Sequence, residues 1–265
     1  MKNLFKEQPN SILKEIVEET VGENSIEFSP TSTPTFEKKI VIVTELYNER
    51  NQKRIHEYLA SLGRNINNKL ISEIHILYQG IINQPSQILK ELRNFNTNKL
   101  RISFVEKRCT LQDLLDYSNK WLSCLAIACV ADAFLDNSLA HIWKYNWEKD
   151  DIFGCLSMNT AMFAKRTCNL VPWCHGAYIF KSPIIKPIKG DYVWSTLGSD
   201  IRIMAEAYNA GYKIINPSLD IKLTEIHRSR VSHHTKWVGK PWRETTPHHI
   251  SKFPADSRER LDAPS

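Results

Sequence analysis

The sequence has no long hydrophobic run and no cysteine pair at a metal-binding spacing. None of its apolar stretches approaches the roughly 20 residues that span a bilayer, and no signal-peptide core follows the first residues. Its six cysteines lack the C-x-x-C spacing of a zinc finger. We therefore expect free thiols in a reducing compartment. We also expect a cytoplasmic protein without a transmembrane segment, either free or peripheral to a membrane.

Two glycine-rich nucleotide-binding signatures are also missing. Neither G-x-G-x-x-G nor G-x-x-x-x-G-K-[ST] occurs, so a conventional dinucleotide fold and a P-loop enzyme are not supported. The net charge of +6 comes from 35 basic and 29 acidic residues. This excess is scattered, apart from a basic, histidine-containing cluster after Lys222. It argues against nucleic acid as the main partner and suits an anionic small ligand or an anionic surface.

The length and composition indicate one folded domain with extensions. A chain of 265 residues that is 42% hydrophobic can bury one full core but is short for two substantial domains. We predict an N-terminal extension and linker over residues 1–35, a domain over 36–237 and a polar tail over 238–265. No feature of the sequence predicts an oligomeric state.

Apolar strands alternate with helical segments through the first half of the chain. The pattern predicts strands at 38–44, 71–78, 100–105 and 124–131, with helices at 48–62 and 110–119 and a polar helix or loop at 84–94. The second half predicts strands at 153–165, 176–180 and 213–216, with helices at 139–147 and 199–210. Strand and helix in alternation are typical of a parallel sheet covered on both faces.

Asp132 directly follows the most apolar of these strands. Asp136, Asn137 and Ser138 already supply an N-cap for the helix that follows, which leaves Asp132 without a structural task. In open α/β sheets, ligands bind at the carboxyl ends of the strands. A divalent cation that bridges phosphates takes one or two carboxylates there. Metal binding and a structural role are both open for Asp132 at this point.

Segment 43–50, at the end of the first strand, either lines a ligand crevice or caps the next helix. Arg108 precedes a helix N-terminus, a combination that suits a diphosphate, although Thr110 and Asp113 also form a capping pattern. Asp200 is either a carboxylate favoured by the helix macrodipole or a group that works on the substrate. His227 is either a metal ligand or phosphate donor, or a surface histidine of a His-rich segment.

In this order, the segments resemble those of GT-A-type glycosyltransferases, in particular the small single-domain members from bacterial polysaccharide loci and large DNA viruses. Thr44–Asn48 is similar to the turn that receives the nucleotide, and Val130–Leu139 is similar to the metal motif. The remaining similar segments are the Arg108, Thr110 and Asn119 set, the acceptor-side segment Gly176–Pro183 and the G-S-D-I-R-I element Gly198–Ile203. Ala210–Leu219 with Ile226–Ser229 is similar to the family segment that closes over the diphosphate.

The resemblance implies a GT-A-like (Rossmann-like) single α/β domain with a central mixed, mainly parallel sheet flanked by helices. It also implies an inverting hexosyl- or pentosyltransferase that moves a sugar from a nucleotide-diphosphate-sugar donor to a hydroxyl of a glycan or glycoconjugate. Asp132 and His227 would hold Mn²⁺ or Mg²⁺. Asp200 would be the catalytic base, or would grip the donor sugar in a retaining enzyme. The implied donor contacts are Thr44, Glu45, Tyr47, Arg50, Arg108, Thr110, Asn119, Ala131 and Ser229.

The chain departs from the family pattern at two positions. Val130 replaces a polar residue of the metal motif, which leaves Asp132 with fewer protein partners for a cation. Gly176 replaces an aspartate, which shifts the acceptor contact to His175 or implies another acceptor. The alternative function is a non-catalytic nucleotide- or glycan-binding module of the same fold, which would stack sugars on the aromatic residues Trp173, Tyr178, Trp194 and Trp237.

Overall fold

The computed structural model describes residues 36–80, 86–95, 97–121, 123–160, 169–196 and 198–229. The extension predicted over 1–35 and the tail predicted over 238–265 lie outside these ranges. So do the histidines that follow residue 229 and the end of the strand predicted over 153–165.

The described ranges contain strands that alternate with helices, as the sequence pattern predicts. The strands are β1 (Ile40–Tyr47), β2 (Glu73–Gln79), β3 (Leu100–Val105), β4 (Leu125–Cys129), β5 (Ala133–Leu135), β6 (Ile152–Thr160), β7 (Asn169–Lys181), β8 (Lys213–Ile215) and β9 (Leu223–Glu225). The helices are α1 (Gln52–Asn67), α2 (Gln87–Leu92), α3 (Leu111–Trp121) and α4 (Ser199–Asn209), and a 3-10 helix covers Asn137–Lys144.

These strands form one sheet in the order β3-β2-β1-β4-β7-β6-β9-β5, with β8 paired to β6. The pairs β3-β2, β2-β1 and β1-β4 are parallel, as are β6-β8 and β6-β9. Strand β7 runs antiparallel to both of its neighbours, and β5 runs antiparallel to β9. The predicted α/β domain with a central mixed, mainly parallel sheet flanked by helices is confirmed.

Hydrophobic cores lie on both faces of the sheet. Ile42 of β1 belongs to the core that includes Ile55 of α1, whereas the adjacent Val43 belongs to the core that includes Leu114 of α3 and Met204 of α4. Successive side chains of a strand point to opposite faces, so a central parallel strand must be apolar at nearly every position. This requirement explains the continuous apolar run in β1.

The chain around Asp132 differs from its predicted structure. The apolar strand ends at Cys129, and the chain then turns at Asp132 and enters the short strand β5, which the sequence pattern did not predict. The helix predicted over 139–147 is a 3-10 helix over Asn137–Lys144. Its i to i+3 bonds include those from Leu139 N–H to Asp136 O and from Tyr145 N–H to Ile142 O.

Two asparagines near the end of α1 hold β5 in place. Asn65 donates through Nδ2 to Ala133 O at 3.0 Å and accepts from Leu135 N–H at 3.0 Å. Asn68 donates to Leu135 O at 3.0 Å. A three-residue strand has few ladder bonds of its own, so these contacts fix the turn that carries Asp132.

Replacement of Asn65 by alanine tests this attachment. Asn65→Ala leaves a buried N–H and a buried carbonyl of β5 without these partners, at a cost of about 2–4 kcal/mol in the free energy of unfolding. Urea denaturation measures the change, and Asn67→Ala, at an exposed position of the same helix, is the control. A similar loss in both variants would contradict the attachment.

Candidate metal and nucleotide site

Asp132 lies in the turn between β4 and β5 and is only 5% exposed. Its Oδ2 is 2.6 Å from Nη2 of Arg54, which projects from the first turn of α1. The expectation that Asp132 has no structural task is therefore wrong, because its buried carboxylate neutralises a buried guanidinium. The buried location at the carboxyl end of β4 agrees with the position predicted for a ligand-binding carboxylate.

Glu225 and His227 lie beside Asp132. Their sequence separation of two residues places both side chains on one side of an extended segment. His227 Nδ1 is 3.1 Å from Glu225 Oε1 and 3.9 Å from Asp132 Oδ2, and Thr160 donates its hydroxyl to Glu225 Oε2. One potential ligand atom from each of Asp132, Glu225 and His227 lies within 4.8 Å of the other two. We call these three residues the acidic triad.

The charges of the acidic triad depend on one another. Burial raises the pKa of the Asp132 carboxyl, and Arg54 and His227 partly oppose this effect. Burial also raises the pKa of Glu225, but hydrogen bonds from His227 and Thr160 outweigh it and the net shift is downward. Burial lowers the pKa of His227, whereas the bond to Glu225 raises it, and the net shift is upward. The attraction between a protonated His227 and Glu225 accounts for the shifts of these two groups, whereas burial dominates the shift of Asp132.

Arg54 links the acidic triad to a third carboxylate, that of Glu57. Its Nη1 donates to Glu57 Oε2 at 2.9 Å, one turn further along α1. Glu57 in turn accepts from Ser229 N–H at 2.6 Å and from Ser229 Oγ–H at 2.9 Å. The segment that follows His227 is therefore fastened to α1. Ser229, a predicted donor contact, lies within this network.

Another buried carboxylate, that of Glu45 at the end of β1, holds Arg108. Glu45 accepts two bonds from the guanidinium of Arg108, at 2.8 and 2.9 Å, and a third from Cys109 N–H at 2.7 Å. Arg108 also donates to Trp194 O at 3.3 Å. Burial raises the pKa of Glu45, and the bonds from Arg108 oppose the increase. The bidentate pair fixes the guanidinium plane.

Two tyrosines extend this arrangement towards the acidic triad. The guanidinium of Arg108 lies 4.8 Å from the ring centre of Tyr47, and that of Arg54 lies 4.9 Å from the ring centre of Tyr58. The two tyrosine hydroxyls are 2.8 Å apart. Thr44 has a buried hydroxyl without a hydrogen-bond partner among the described residues. It lines a small cavity with a set that includes Tyr58, Asn65, Val130 and Ala131.

Asp200 lies in the first turn of α4, where Gly198 forms the N-cap with a φ of 81°. This left-handed conformation is open to glycine at little cost, which explains the glycine of the G-S-D element. Burial raises the pKa of the Cys174 thiol most strongly, and the carboxylates of Glu225, Asp200 and Asp132 add to the increase. Asp200, Glu225 and Asp132 therefore all disfavour the thiolate form of the half-buried Cys174.

The remaining predicted donor contacts are either exposed to solvent or make hydrogen bonds that stabilise the fold. Arg50 is exposed, and its N–H donates to Glu49. Thr110 and Asp113 form the predicted reciprocal cap at the start of α3, at 2.7 and 3.1 Å. Asn119 accepts from Ile184 N–H at 2.7 Å, which ties α3 to the loop after β7.

The two departures from the family pattern have physical explanations. Val130 is half-buried and packs against both cores, and its N–H donates to Gly176 O at 2.8 Å. A Cβ at Gly176 would lie 2.3 Å from Met158 Sδ and 3.1 Å from Leu223 Cδ2. An aspartate at position 176 would therefore collide with packed side chains rather than face a cleft.

The platform of aromatic residues predicted for the alternative function is wrong at two positions. Tyr178 and Trp194 are each 2% exposed and form an edge-to-face pair inside the core, with ring centres 5.6 Å apart. They cannot stack on a sugar from solvent. The side chains of Trp173 and Trp237 lie outside the described part of the protein.

The structure also shows the state of the cysteines and the character of the helices. Cysteines 109, 124, 129, 155 and 174 are free thiols. Within the described ranges, no helix combines the length and apolarity needed to cross a membrane.

Sequence reasoning missed Arg54 and Glu225. Arg54 lies within a helical pattern, where a basic residue normally faces solvent. Glu225 is part of the T-E-I-H-R-S segment, and only its neighbour His227 was identified as a candidate. The available signal was the Glu-x-His spacing on an extended segment, which puts two possible ligands on one side of the chain.

No protein-family model matches the chain, and no curated protein matches it. Solved structures with a similar fold include the mannosyltransferase PcManGT from Pyrobaculum calidifontis in complex with GDP-Man and Mn²⁺, with a TM-score of 0.49 and 16% identity over 81% of this chain. GalNAc-T7 with UDP, GalNAc and Mn²⁺ has a TM-score of 0.49 and 13% identity over 77% of this chain. A thymidylyltransferase structure from Bacillus anthracis has a TM-score of 0.47 and 10% identity over 71% of this chain.

The chain spans 62% of the mannosyltransferase, 45% of GalNAc-T7 and 89% of the thymidylyltransferase. At these identities and TM-scores the likenesses carry no information about family, activity or substrates.

Loss of Arg108 tests the role of the Glu45 pair. Arg108→Gln leaves a carboxylate that is 2% exposed without its cation, and we expect the free energy of unfolding to fall by about 2–4 kcal/mol. Arg101→Gln, which removes an exposed partner of Glu73, should cost less than about 1 kcal/mol. Denaturant titration measures both. Equal losses would show that Arg108 does not neutralise a buried charge.

Proposed function

We propose that this protein is a metal-dependent glycosyltransferase that moves a sugar from a nucleotide-diphosphate-sugar donor to a hydroxyl of a glycan or glycoconjugate. The observation that carries the proposal is the acidic triad, Asp132, Glu225 and His227, buried at the carboxyl edge of the sheet. Arg54 of α1 contacts this triad, and the linked hydroxyls of Tyr58 and Tyr47 connect it to an arginine that precedes α3, Arg108. Fixed cations next to possible metal ligands suit a diphosphate.

The donor atoms of the acidic triad fit a divalent cation. Ligands of one such ion, at about 2.1 Å from it, lie about 3–4 Å apart. The three atoms lie within 4.8 Å of one another, so small side-chain movements bring them to that spacing. Carboxylates suit Mg²⁺ and Mn²⁺ alike, whereas an imidazole nitrogen favours the transition metal. Mn²⁺ is therefore the preferred ion of the proposal, and Glu225 joins Asp132 and His227 as a ligand.

The nucleotide half of the donor would occupy the end of β1. Thr44 offers a buried hydroxyl without a partner among the described residues, and Tyr47 offers a ring held beneath Arg108. Glu45 fixes Arg108 through two bonds, so the guanidinium needs no reordering when a ligand binds. Ala131 and Ser229 lie on the adjoining segments, next to the acidic triad.

Asp200 is the proposed base for an inverting reaction. It would accept the proton of the acceptor hydroxyl while the oxygen forms a bond to the anomeric carbon and the bond to the nucleoside diphosphate breaks. A bound divalent cation would supply Lewis-acid stabilisation of the leaving diphosphate. The assignment rests on the position of Asp200 in the G-S-D-I-R-I element of the family resemblance.

Calorimetry with a panel of nucleotide-sugars, with and without Mn²⁺, tests the proposed function. Mn²⁺ should strengthen binding of one donor at least tenfold, and slow donor hydrolysis should accompany it. Asp132→Asn should remove the metal effect, while Asp116→Asn, at an exposed position on α3, should retain it. Glycan binding that is indifferent to Mn²⁺, together with no donor binding, would favour the non-catalytic module instead.

Asp200→Asn separates catalysis from donor binding. A missing base should lower the transfer rate by at least 100-fold, while donor affinity stays within a few-fold, because the amide keeps the shape of the carboxylate. Asp191→Asn, a neighbour that is 82% exposed and pairs with Arg202, is the control. Unchanged turnover in Asp200→Asn would contradict the assignment of Asp200 as the catalytic base.

A further inference from the structure

The guanidinium of Arg54 lies where a cation bound by the acidic triad would contact Asp132. Its Nη2 is 2.6 Å from Asp132 Oδ2, and that same oxygen is the one 3.9 Å from His227 Nδ1. An ion held between His227 and this oxygen would meet the guanidinium there. The guanidinium and a divalent cation therefore compete for one carboxylate.

The position of Arg54 in its helix is unusual for a basic residue. The first turn of α1 contains no acidic residue, and the helix macrodipole disfavours a positive charge there. The side chains of Arg54 and Asp132 are only 11% and 7% exposed. The positive charge of Arg54 is therefore unfavourable at this end of the helix, and the carboxylates of Asp132 and Glu57 offset that cost.

Arg54 also keeps an unused donor. Its Nε–H is buried and has no hydrogen-bond partner among the described residues. Glu57 holds the Nη1 side of the guanidinium at 2.9 Å, so Arg54 can remain paired when Asp132 turns to another cation. An oxygen of an incoming phosphate would satisfy the unused donor.

We propose that Arg54 is a built-in counter-ion that occupies Asp132 in place of the divalent cation and weakens metal binding until a diphosphate arrives. The inference rests on the proposed function, because it assumes that the acidic triad is the metal site. Metal and donor then bind together: the guanidinium leaves the Asp132 oxygen, keeps Glu57 and takes a phosphate oxygen. Arg54 is a positioning residue that sets the metal affinity of the free protein.

Mn²⁺ titration of the full chain without nucleotide, followed by the electron paramagnetic resonance signal of the free ion, tests the proposal. Arg54→Met should bind Mn²⁺ at least tenfold more tightly than the unsubstituted protein, because the competitor is gone. Arg54→Lys, which keeps the charge, should stay within about threefold. Arg64→Met removes an exposed cation from the same helix and should leave the affinity unchanged.

Arg54→Gln provides a second neutral variant if Arg54→Met does not fold, as judged by circular dichroism. Equal or weaker Mn²⁺ binding in a folded neutral variant would overturn the proposal. If Asp132→Asn still abolishes Mn²⁺ binding in that case, the metal site stands and only the role of Arg54 fails. If the unsubstituted protein, Asp132→Asn and the neutral variant all fail to bind Mn²⁺, the metal-dependent function fails as well.

Discussion

Burial of carboxylates at the carboxyl edge of the sheet is the constraint on which the site depends. Glu45, Glu57 and Asp132 are each removed from water, and an unpaired buried charge costs several kcal/mol. Two arginines from different parts of the chain pair with them: Arg54 with both Asp132 and Glu57, and Arg108 with Glu45. Because Arg54 and Arg108 must reach these partners, the start of α1 and the segment before α3 are fixed beside the ends of β1 and β4.

The sequence predicts the sheet well because central strands leave little choice. A strand buried on both faces must be apolar at nearly every position, and β1 and β4 follow that pattern. The cap at Thr110 and Asp113 was also predictable, since it depends only on neighbours in the chain. The placement of Asp132 at the carboxyl end of β4 follows from the same local reasoning.

Features that depend on distant partners were less predictable. Strand β5 has three residues and is held by Asn65 and by β9, and neither contact leaves a periodic signal. The pairing of Arg54 with Asp132 joins residues that are far apart in the sequence. The Glu-x-His spacing points to Glu225, but its position beside Asp132 is known only once β9 is seen next to that turn. The roles of Asp200 and of the donor contacts still rest on the resemblance and the proposal.

The position of β9 has a consequence for how the protein folds. Strand β5 joins the sheet through β9, and Ile226 N–H donates to Asp132 O at 2.7 Å. Contacts between distant parts of a chain form slowly, because a long loop must close before they are gained. The acidic triad can assemble only after β9 has paired. During refolding, completion of the proposed metal site would therefore coincide with the pairing of β9 to β5 and β6.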